Sequence, residues 1–417
     1  MNSSTKSLLI IGLLFFLFGF VTWLNSVLIP FLGISCELTN FQSFFVTFAF
    51  YIAYFVTALP SAKLLEKTGL KKGISTGLVV MALGSLLFIP AAYSRSFVLF
   101  LIGLFVQGTG LSIMQTATNP YVTMLGSIES AAKRISIMGI CNKLAGALSP
   151  IILSAALLKD SSLLSEKISL ALPDDKIVLL NEMASKIVMP YIIIFVVLAI
   201  LALLINFSPL PEVDAGEKED KKTSILDVLK FRHLVLGVIS LFLYVGVEVL
   251  AGDSVIRYAM SQNIQPVYMF GINIADYTLY TTYTLISMIV GYILGIVLVP
   301  NYLSQSKMLA VCAIIGISFS LLVIIQSGFV SVLFVALLGL ANAMMWPTIF
   351  PLAISKLGVY TKTGSALLIM AIAGGAIIPL IYGKLADSIG LNSAYIILIP
   401  CYAFILYFAI RGSKTGN

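Results

Sequence analysis

The chain has 417 residues, 59% of them hydrophobic and 10% charged, with a mean hydropathy of +1.06. A soluble domain carries roughly a quarter charged residues, so this composition excludes an ordinary soluble fold and places the chain in a membrane. The formal net charge of +7 does not point to nucleic acid, because the basic residues gather at the ends of apolar segments, as topology signals do.

A helix needs about 20 apolar residues to cross the hydrocarbon core. Twelve segments reach that length, at roughly 7–32, 41–65, 73–93, 97–125, 132–158, 187–208, 233–262, 273–300, 306–327, 330–356, 363–387 and 392–411. They predict an all-α polytopic membrane protein with twelve transmembrane helices, numbered here as spans 1 to 12. The first, from Ser7 to Leu32, is too long for a signal peptide and has no small-residue cleavage site, so it is expected to stay as a span. Residues 159–186 carry mixed charge and are expected outside the membrane. Residues 209–231 begin with Pro209 and Pro211 and hold the charge run from Glu217 to Lys222. The expected organisation is an N-terminal six-helix bundle over 1–208, a cytoplasmic linker over 209–231 and a C-terminal six-helix bundle over 232–417.

Basic residues set the orientation. Lys63, Lys67, Lys71 and Lys72 share one connection, and Lys133, Arg134, Lys230, Arg232, Lys307, Lys356, Lys362, Arg411 and Lys414 fall on the same side by parity, as does Lys6. Both termini and the linker are therefore expected in the cytoplasm.

The halves carry signs of repetition. Gly146-Ala147-Leu148-Ser149-Pro150 in span 5 matches Gly375-Ala376-Ile377-Ile378-Pro379 in span 11, an offset of 229 residues (375 less 146). The same shift carries the start of span 1 close to the start of span 7. A six-span repeat predicts two bundles with a substrate site at mid-membrane depth.

The polar stretch from Gln115 to Gly126 closes span 4. Lipid does not solvate its amides and hydroxyls, so they must face protein or a wet cavity. Asn25, Gln115, Asn119, Asn142 and Asn342 lie at comparable depth, and an amide supplies both donor and acceptor for a sugar hydroxyl; single amides in such helices also simply bond a neighbouring helix. Lys143 sits mid-span, where a charge is functional by default. It donates to a sugar, occupies a cation's place, or fixes packing through backbone carbonyls. Glu248 has no partner nearby in sequence and is the leading candidate for a titrating, cation-binding or sugar-binding carboxylate. Asp253, a further ion-coupling candidate, stands four residues before Arg257, a spacing that brings the two onto one helix face. Trp346, beside Pro347, is the preferred wall for the apolar face of a sugar. Trp23, Tyr244 and Tyr283 are weaker candidates.

Leu24-Asn25-Ser26-Val27-Leu28-Ile29-Pro30, Leu38-Thr39-Asn40-Phe41-Gln42, the Gln115–Gly126 stretch, Tyr244-Val245-Gly246-Val247-Glu248-Val249, Asn342-Ala343-Met344-Met345-Trp346-Pro347 and Ile372-Ala373-Gly374-Gly375-Ala376 resemble the fucose:proton symporter family of the major facilitator superfamily, and within it the glucose/galactose permease branch. The resemblance spans nearly the whole chain. It implies the major facilitator fold, alternating access, and hexose uptake at a bacterial cytoplasmic (inner) membrane. Proton-coupled members carry an aspartate where this chain has Ser26 and a glutamate where it has Gln115. Neither residue here releases a proton, so the expected coupling ion is sodium or a proton carried elsewhere.

Four scattered cysteines, a single histidine at the linker edge and the lack of a Walker-type glycine loop point away from disulfide frameworks, metal sites and ATP hydrolysis. No cofactor and no catalytic residues are expected. The expected function is secondary active uptake of a glucose- or galactose-type hexose by a monomer, with no nucleic-acid partner. Facilitative uniport, or transport of fucose or N-acetylglucosamine, is the alternative. A lipid-modifying enzyme would need a catalytic cluster near one interface, and drug efflux would not need so many amides.

Overall fold

The structure is a computed structural model and describes residues 3–124, 131–158, 167–168, 170–208, 228–269, 272–299, 302–357 and 360–414. The expected linker therefore lies largely outside the described residues. Among the described residues, 12 helices are long and apolar enough to cross a membrane: Leu9–Ser35, Asn40–Ala58, Leu70–Tyr93, Phe97–Thr118, Ile137–Leu157, Pro173–Phe207, Arg232–Asp253, Tyr277–Leu298, Gln305–Ile325, Gly328–Ile354, Thr363–Ile389 and Ser393–Lys414. Each follows from the same constraint: in lipid every backbone polar group must be satisfied within its own segment. Large apolar side chains such as Val79, Leu83, Ile200, Leu203 and Phe207 stay exposed on the outside of the helices, where hydrocarbon covers them.

The charged insertion is not merely a loop. Pro173–Ser185 is helical, with Pro173 in its first turn followed by Asp174 and Asp175. Proline is pre-organised for that position and the acids complement the helix dipole. This helix packs against Asn25–Ser35 and span 3, and Lys176 Nζ lies 2.6 Å from Glu37 Oε1. That contact holds the Glu37 carboxyl below its ordinary pKa. The pair is half exposed, so water screens most of its contribution.

The Thr39–Gln42 motif is a helix-start signal. Thr39 Oγ1 accepts from the Gln42 N–H at 3.2 Å, and Gln42 Oε1 accepts from the Thr39 N–H at 2.9 Å. This capping box opens span 2.

The chain forms two compact units, Met1–Glu217 and Lys218–Asn417. In the first, span 1 packs on span 5, span 4 on spans 2 and 3, and span 3 on span 6. In the second, span 7 packs on span 11, span 10 on spans 8 and 9, and span 9 on span 12. Adding six to each member of the first set gives the second, so the two units share one internal topology. One helix break recurs in both units. Span 1 is interrupted at Trp23–Leu24, between helices Ser3–Thr22 and Asn25–Ser35, and span 7 at Ser254, between Arg232–Asp253 and Val255–Ser261. The 229-residue offset carries Leu24 onto Asp253, next to that second break.

Spans 3 and 4 meet through facing glycines. A Cβ on Gly77 would stand 2.7 Å from the Gly110 carbonyl oxygen, and one on Gly84 would stand 2.8 Å from that of Gly103. Small residues let membrane helices approach this closely, and dispersion then replaces the missing hydrophobic drive. Gly110→Ala is expected to destabilise the first unit by about 1–3 kcal/mol through overpacking. A thermal unfolding midpoint in detergent equal to that of the parent protein would refute this.

Candidate functional site

Each unit gathers its polar residues at a break in a helix. In the first unit the Trp23–Leu24 break loosens the regular backbone ladder. The Leu24 N–H reaches the Val21 carbonyl at 3.4 Å, and Ser26 Oγ donates to the Trp23 carbonyl at 2.8 Å. Ser26 thus serves the break itself. Asn25 is 1% exposed, and its Nδ2 has no hydrogen-bond partner among the described residues. A buried donor left in this state costs about 1–3 kcal/mol, and such groups call for an explanation.

Span 5 crosses span 1 at this level. A Cβ on Gly19 would run into the Asn142 carbonyl, and Asn142 Nδ2 donates to the Phe15 carbonyl at 3.3 Å. Asn142 therefore clasps two helices, which is the packing role weighed for it above. Lys143, the next residue, places Nζ 5.1 Å from the centroid of the Trp23 ring. The ring face is electron-rich and attracts the ammonium, by about 0.5–2 kcal/mol depending on desolvation. Trp23 is accordingly neither an interfacial anchor nor a bare sugar wall; it is 2% exposed and carries the cation.

Span 4 packs against span 5 and touches span 1. Its Gln115 Nε2 donates to the Tyr54 hydroxyl of span 2 at 3.1 Å. Tyr54 stacks with Tyr51 at 6.2 Å between ring centroids. Asn119 lies one turn beyond Gln115 on the helix Phe97–Met124; its side chain is outside the described residues.

In the second unit the break falls at Ala343–Met344, between the helices Gly328–Asn342 and Met345–Ile354. Thr348 Oγ1 donates back to the Met344 carbonyl at 2.7 Å, in the first turn after the break. Asn342 is fully buried. Its Oδ1 accepts from the Tyr402 hydroxyl at 2.8 Å, while its Nδ2 has no hydrogen-bond partner among the described residues. Trp346 lies 6.5 Å from Tyr244 and stacks on Phe350 at 5.9 Å.

Two sequence expectations change here. Glu248 does have a partner nearby in sequence: the Tyr244 hydroxyl hydrogen-bonds to it from one turn earlier, with Tyr292 and Tyr402 also close. The Asp253–Arg257 spacing spans an interruption at Ser254 between two helices, although the Ser254 N–H still reaches the Leu250 carbonyl at 3.0 Å and the Tyr258 N–H the Ser254 carbonyl at 2.9 Å. Arg257 has Tyr382 and Asp387 of span 11 as electrostatic neighbours. Asp253 is fully buried at the break. Tyr283 donates to the Ile274 carbonyl at 3.2 Å and so braces a loop.

Glu248, Tyr244, Asn342, Tyr402 and Trp346 thus form one cluster in the second unit. Asn25, Trp23, Asn142 and Lys143 form another in the first, beside the Gln115–Tyr54 pair. Among the described residues, no group of three or more His, Cys, Asp or Glu is placed to hold a metal ion. Neither cluster sets a nucleophile beside a base. Both offer directional hydrogen bonds next to an aromatic ring.

The sequence model of the Major Facilitator Superfamily matches residues 11–371. The chain belongs to this superfamily. It is 36% identical over 405 residues to a glucose/galactose transporter of Brucella abortus biovar 1 (strain 9-941), a match covering 97% of this chain and 93% of the relative. It is 32% identical over 415 residues to the L-fucose-proton symporter of Escherichia coli K12, covering 97% and 92%. A crystal structure of the major facilitator superfamily transporter FucP in the outward conformation matches 99% of this chain and 100% of its own, with a TM-score of 0.72 and 30% identity. This facilitator is a multi-pass membrane protein of a transporter family, not an enzyme. Its buried amides Asn25 and Asn342 each sit at a helix break.

Tyr54, Tyr292 and Tyr402 join these clusters without having been singled out from the sequence. Their signal was present: a phenol at mid-span depth needs a hydroxyl partner, and for Tyr54 and Tyr402 that partner is one of the amide candidates.

Proposed function

We propose that this facilitator takes up a hexose, of the glucose or galactose type, by alternating access coupled to a cation. The observation that carries the reading is the pair of buried amide donors, Asn25 and Asn342, each at a helix break and each close in sequence to a tryptophan. A neutral polyol needs donors and acceptors in fixed directions and an aromatic face for its C–H surface, and it needs no charged clamp. The names of the sugar-transporting relatives support the same substrate class. Gln115, Asn119 and Trp346 complete the proposed sugar contacts, and Asn142 positions Lys143.

Ion coupling rests on Glu248, Lys143 and Asp253. Ser26 and Gln115 carry no exchangeable charge, so a proton route through those two positions is closed, which favours sodium; a proton route through Glu248 is the competing form. The placement of Lys143 over Trp23 favours a second reading, facilitative uniport, in which the fixed ammonium replaces a bound ion. The proposed setting is a bacterial inner membrane, with both termini cytoplasmic, bundles over 1–208 and 232–417 joined by the 209–231 linker, and a monomeric carrier without resident cofactor.

Uptake of radiolabelled hexoses into proteoliposomes separates these forms. Accumulation under an imposed sodium gradient supports sodium symport, accumulation under a pH gradient supports proton symport, and counterflow alone supports uniport. Absence of all three for every hexose tested would end the proposal. In the same assay, Tyr54→Phe removes the hydroxyl partner of Gln115, and a neutral hydrogen bond contributes about 1 kcal/mol. The expected result is a rise in KM of roughly fivefold with kcat little changed; an unchanged KM would remove Gln115–Tyr54 from the site.

A further inference from the structure

One end of the second unit brings together the start of span 7, the end of span 10, the start of span 9 and the chain's last described turn. A cavity of about 260 Å³ lies there, lined by His233, Ser306, Ser355, Lys356, Ser413 and Lys414 with Leu352 at one side. His233 is 3% exposed, and its Nε2 lies 2.8 Å from the Ser355 carbonyl oxygen. A carbonyl only accepts, so that nitrogen carries the hydrogen. In its neutral form the ring then offers Nδ1 as an acceptor. Nδ1 is buried and has no hydrogen-bond partner among the described residues.

The lining combines ammonium donors, serine hydroxyls that both donate and accept, and this imidazole nitrogen, and none of its members is a carboxylate. Lys356 also has a φ of 61°, a left-handed backbone more usual for glycine, so a lysine is kept where it is not the least strained choice. Basic residues at span ends are ordinary topology signals. Topology alone accounts for neither the cavity nor the buried imidazole acceptor.

We propose that this cavity binds a phosphate group with a neighbouring hydroxyl. The Lys356 and Lys414 ammonium groups and the Ser306 hydroxyl donate to phosphate oxygens, and the ligand's hydroxyl donates to His233 Nδ1. The glycerophosphate unit has this chemistry, whether as a soluble phosphomonoester or as the headgroup of an anionic lipid. With both termini cytoplasmic, as proposed above, the site faces the cytoplasm. It is separate from both helix-break clusters and does not depend on the identity of the transported solute.

The test uses the purified full chain. One arm measures binding of radiolabelled glycerol 1-phosphate in neutral detergent by equilibrium dialysis. The other compares nanodiscs of phosphatidylcholine alone with nanodiscs containing phosphatidylglycerol, following the unfolding midpoint. Binding in the first arm assigns the site to a soluble ligand, and stabilisation confined to the second assigns it to the headgroup. Lys414 is exposed at the chain end, so Lys414→Gln leaves the fold intact and is expected to weaken the positive arm about tenfold, the effect of one charge-assisted hydrogen bond. His233→Gln, checked for a parental unfolding midpoint, is expected to weaken it as well. A failure of both arms, or equal binding by parent and Lys414→Gln, overturns the proposal.

Discussion

Lys143→Met is expected to lose gradient-driven hexose accumulation while remaining folded. Methionine keeps the length and much of the apolar stem of lysine, so the packing of span 5 against span 1 survives. What disappears is the ammonium 5.1 Å from the Trp23 ring. The stability lost includes the cation–π contribution, about 0.5–2 kcal/mol. The functional loss is larger if the ammonium donates to the sugar or replaces an ion; a hydrogen bond to a charged group contributes about 1.5–3 kcal/mol, or roughly 10- to 100-fold in rate. The accumulation ratio should fall to about one. If counterflow persists in the variant, Lys143 couples the ion; if counterflow also stops, it binds the sugar. Accumulation at the parental rate would return Lys143 to a packing role.

Asn25→Leu is expected to move stability and function in opposite directions. The Asn25 amide nitrogen is buried without a hydrogen-bond partner, at a cost of about 1–3 kcal/mol to the empty protein. Leucine has a similar volume and no polar atoms, so the empty protein should gain about 1 kcal/mol. A sugar hydroxyl that relied on this donor loses it, and kcat/KM should drop by roughly 10- to 100-fold. Asn342→Leu makes the contrast. Its Oδ1 is the acceptor for Tyr402 at 2.8 Å, so the same change strands a buried phenol and should destabilise the protein by about 1–3 kcal/mol. Stabilised, inactive Asn25→Leu beside destabilised, inactive Asn342→Leu is the expected pattern. An active Asn25→Leu carrier would show that the buried donor has no part in transport.

The spans were legible in the sequence because hydrocarbon imposes a length and a composition that few other demands imitate. The positions of the breaks were not. No proline stands at Trp23–Leu24 or at Ser254, and the Leu24–Pro30 motif marks its neighbourhood without locating the interruption. The interruption at Ser254 also falls between Asp253 and Arg257, whose spacing reads in sequence as one unbroken helix. Glu248 looked isolated because the search was for an opposite charge, whereas the partner is the Tyr244 hydroxyl one turn away. Asn142 reads in sequence as a candidate ligand, and Gly19 adds a packing role by letting its backbone close against span 1. The charged insertion was recognised as non-membrane, yet Pro173 followed by two aspartates already had the form of a helix start.

The shared topology of the two units has a consequence for their history. If both descend from one duplicated six-span ancestor, the helix break came first and the charges were assigned afterwards. The 229-residue offset carries Lys143 onto Ile372 and Glu248 onto Gly19. Where one unit has a cation, the matching position in the other is an alkyl group, and where the other has a carboxylate, the match is a glycine. The duplicates have divided the labour of charge between them, so restoring symmetry by placing both groups in one copy is a route to a carrier with altered ion dependence.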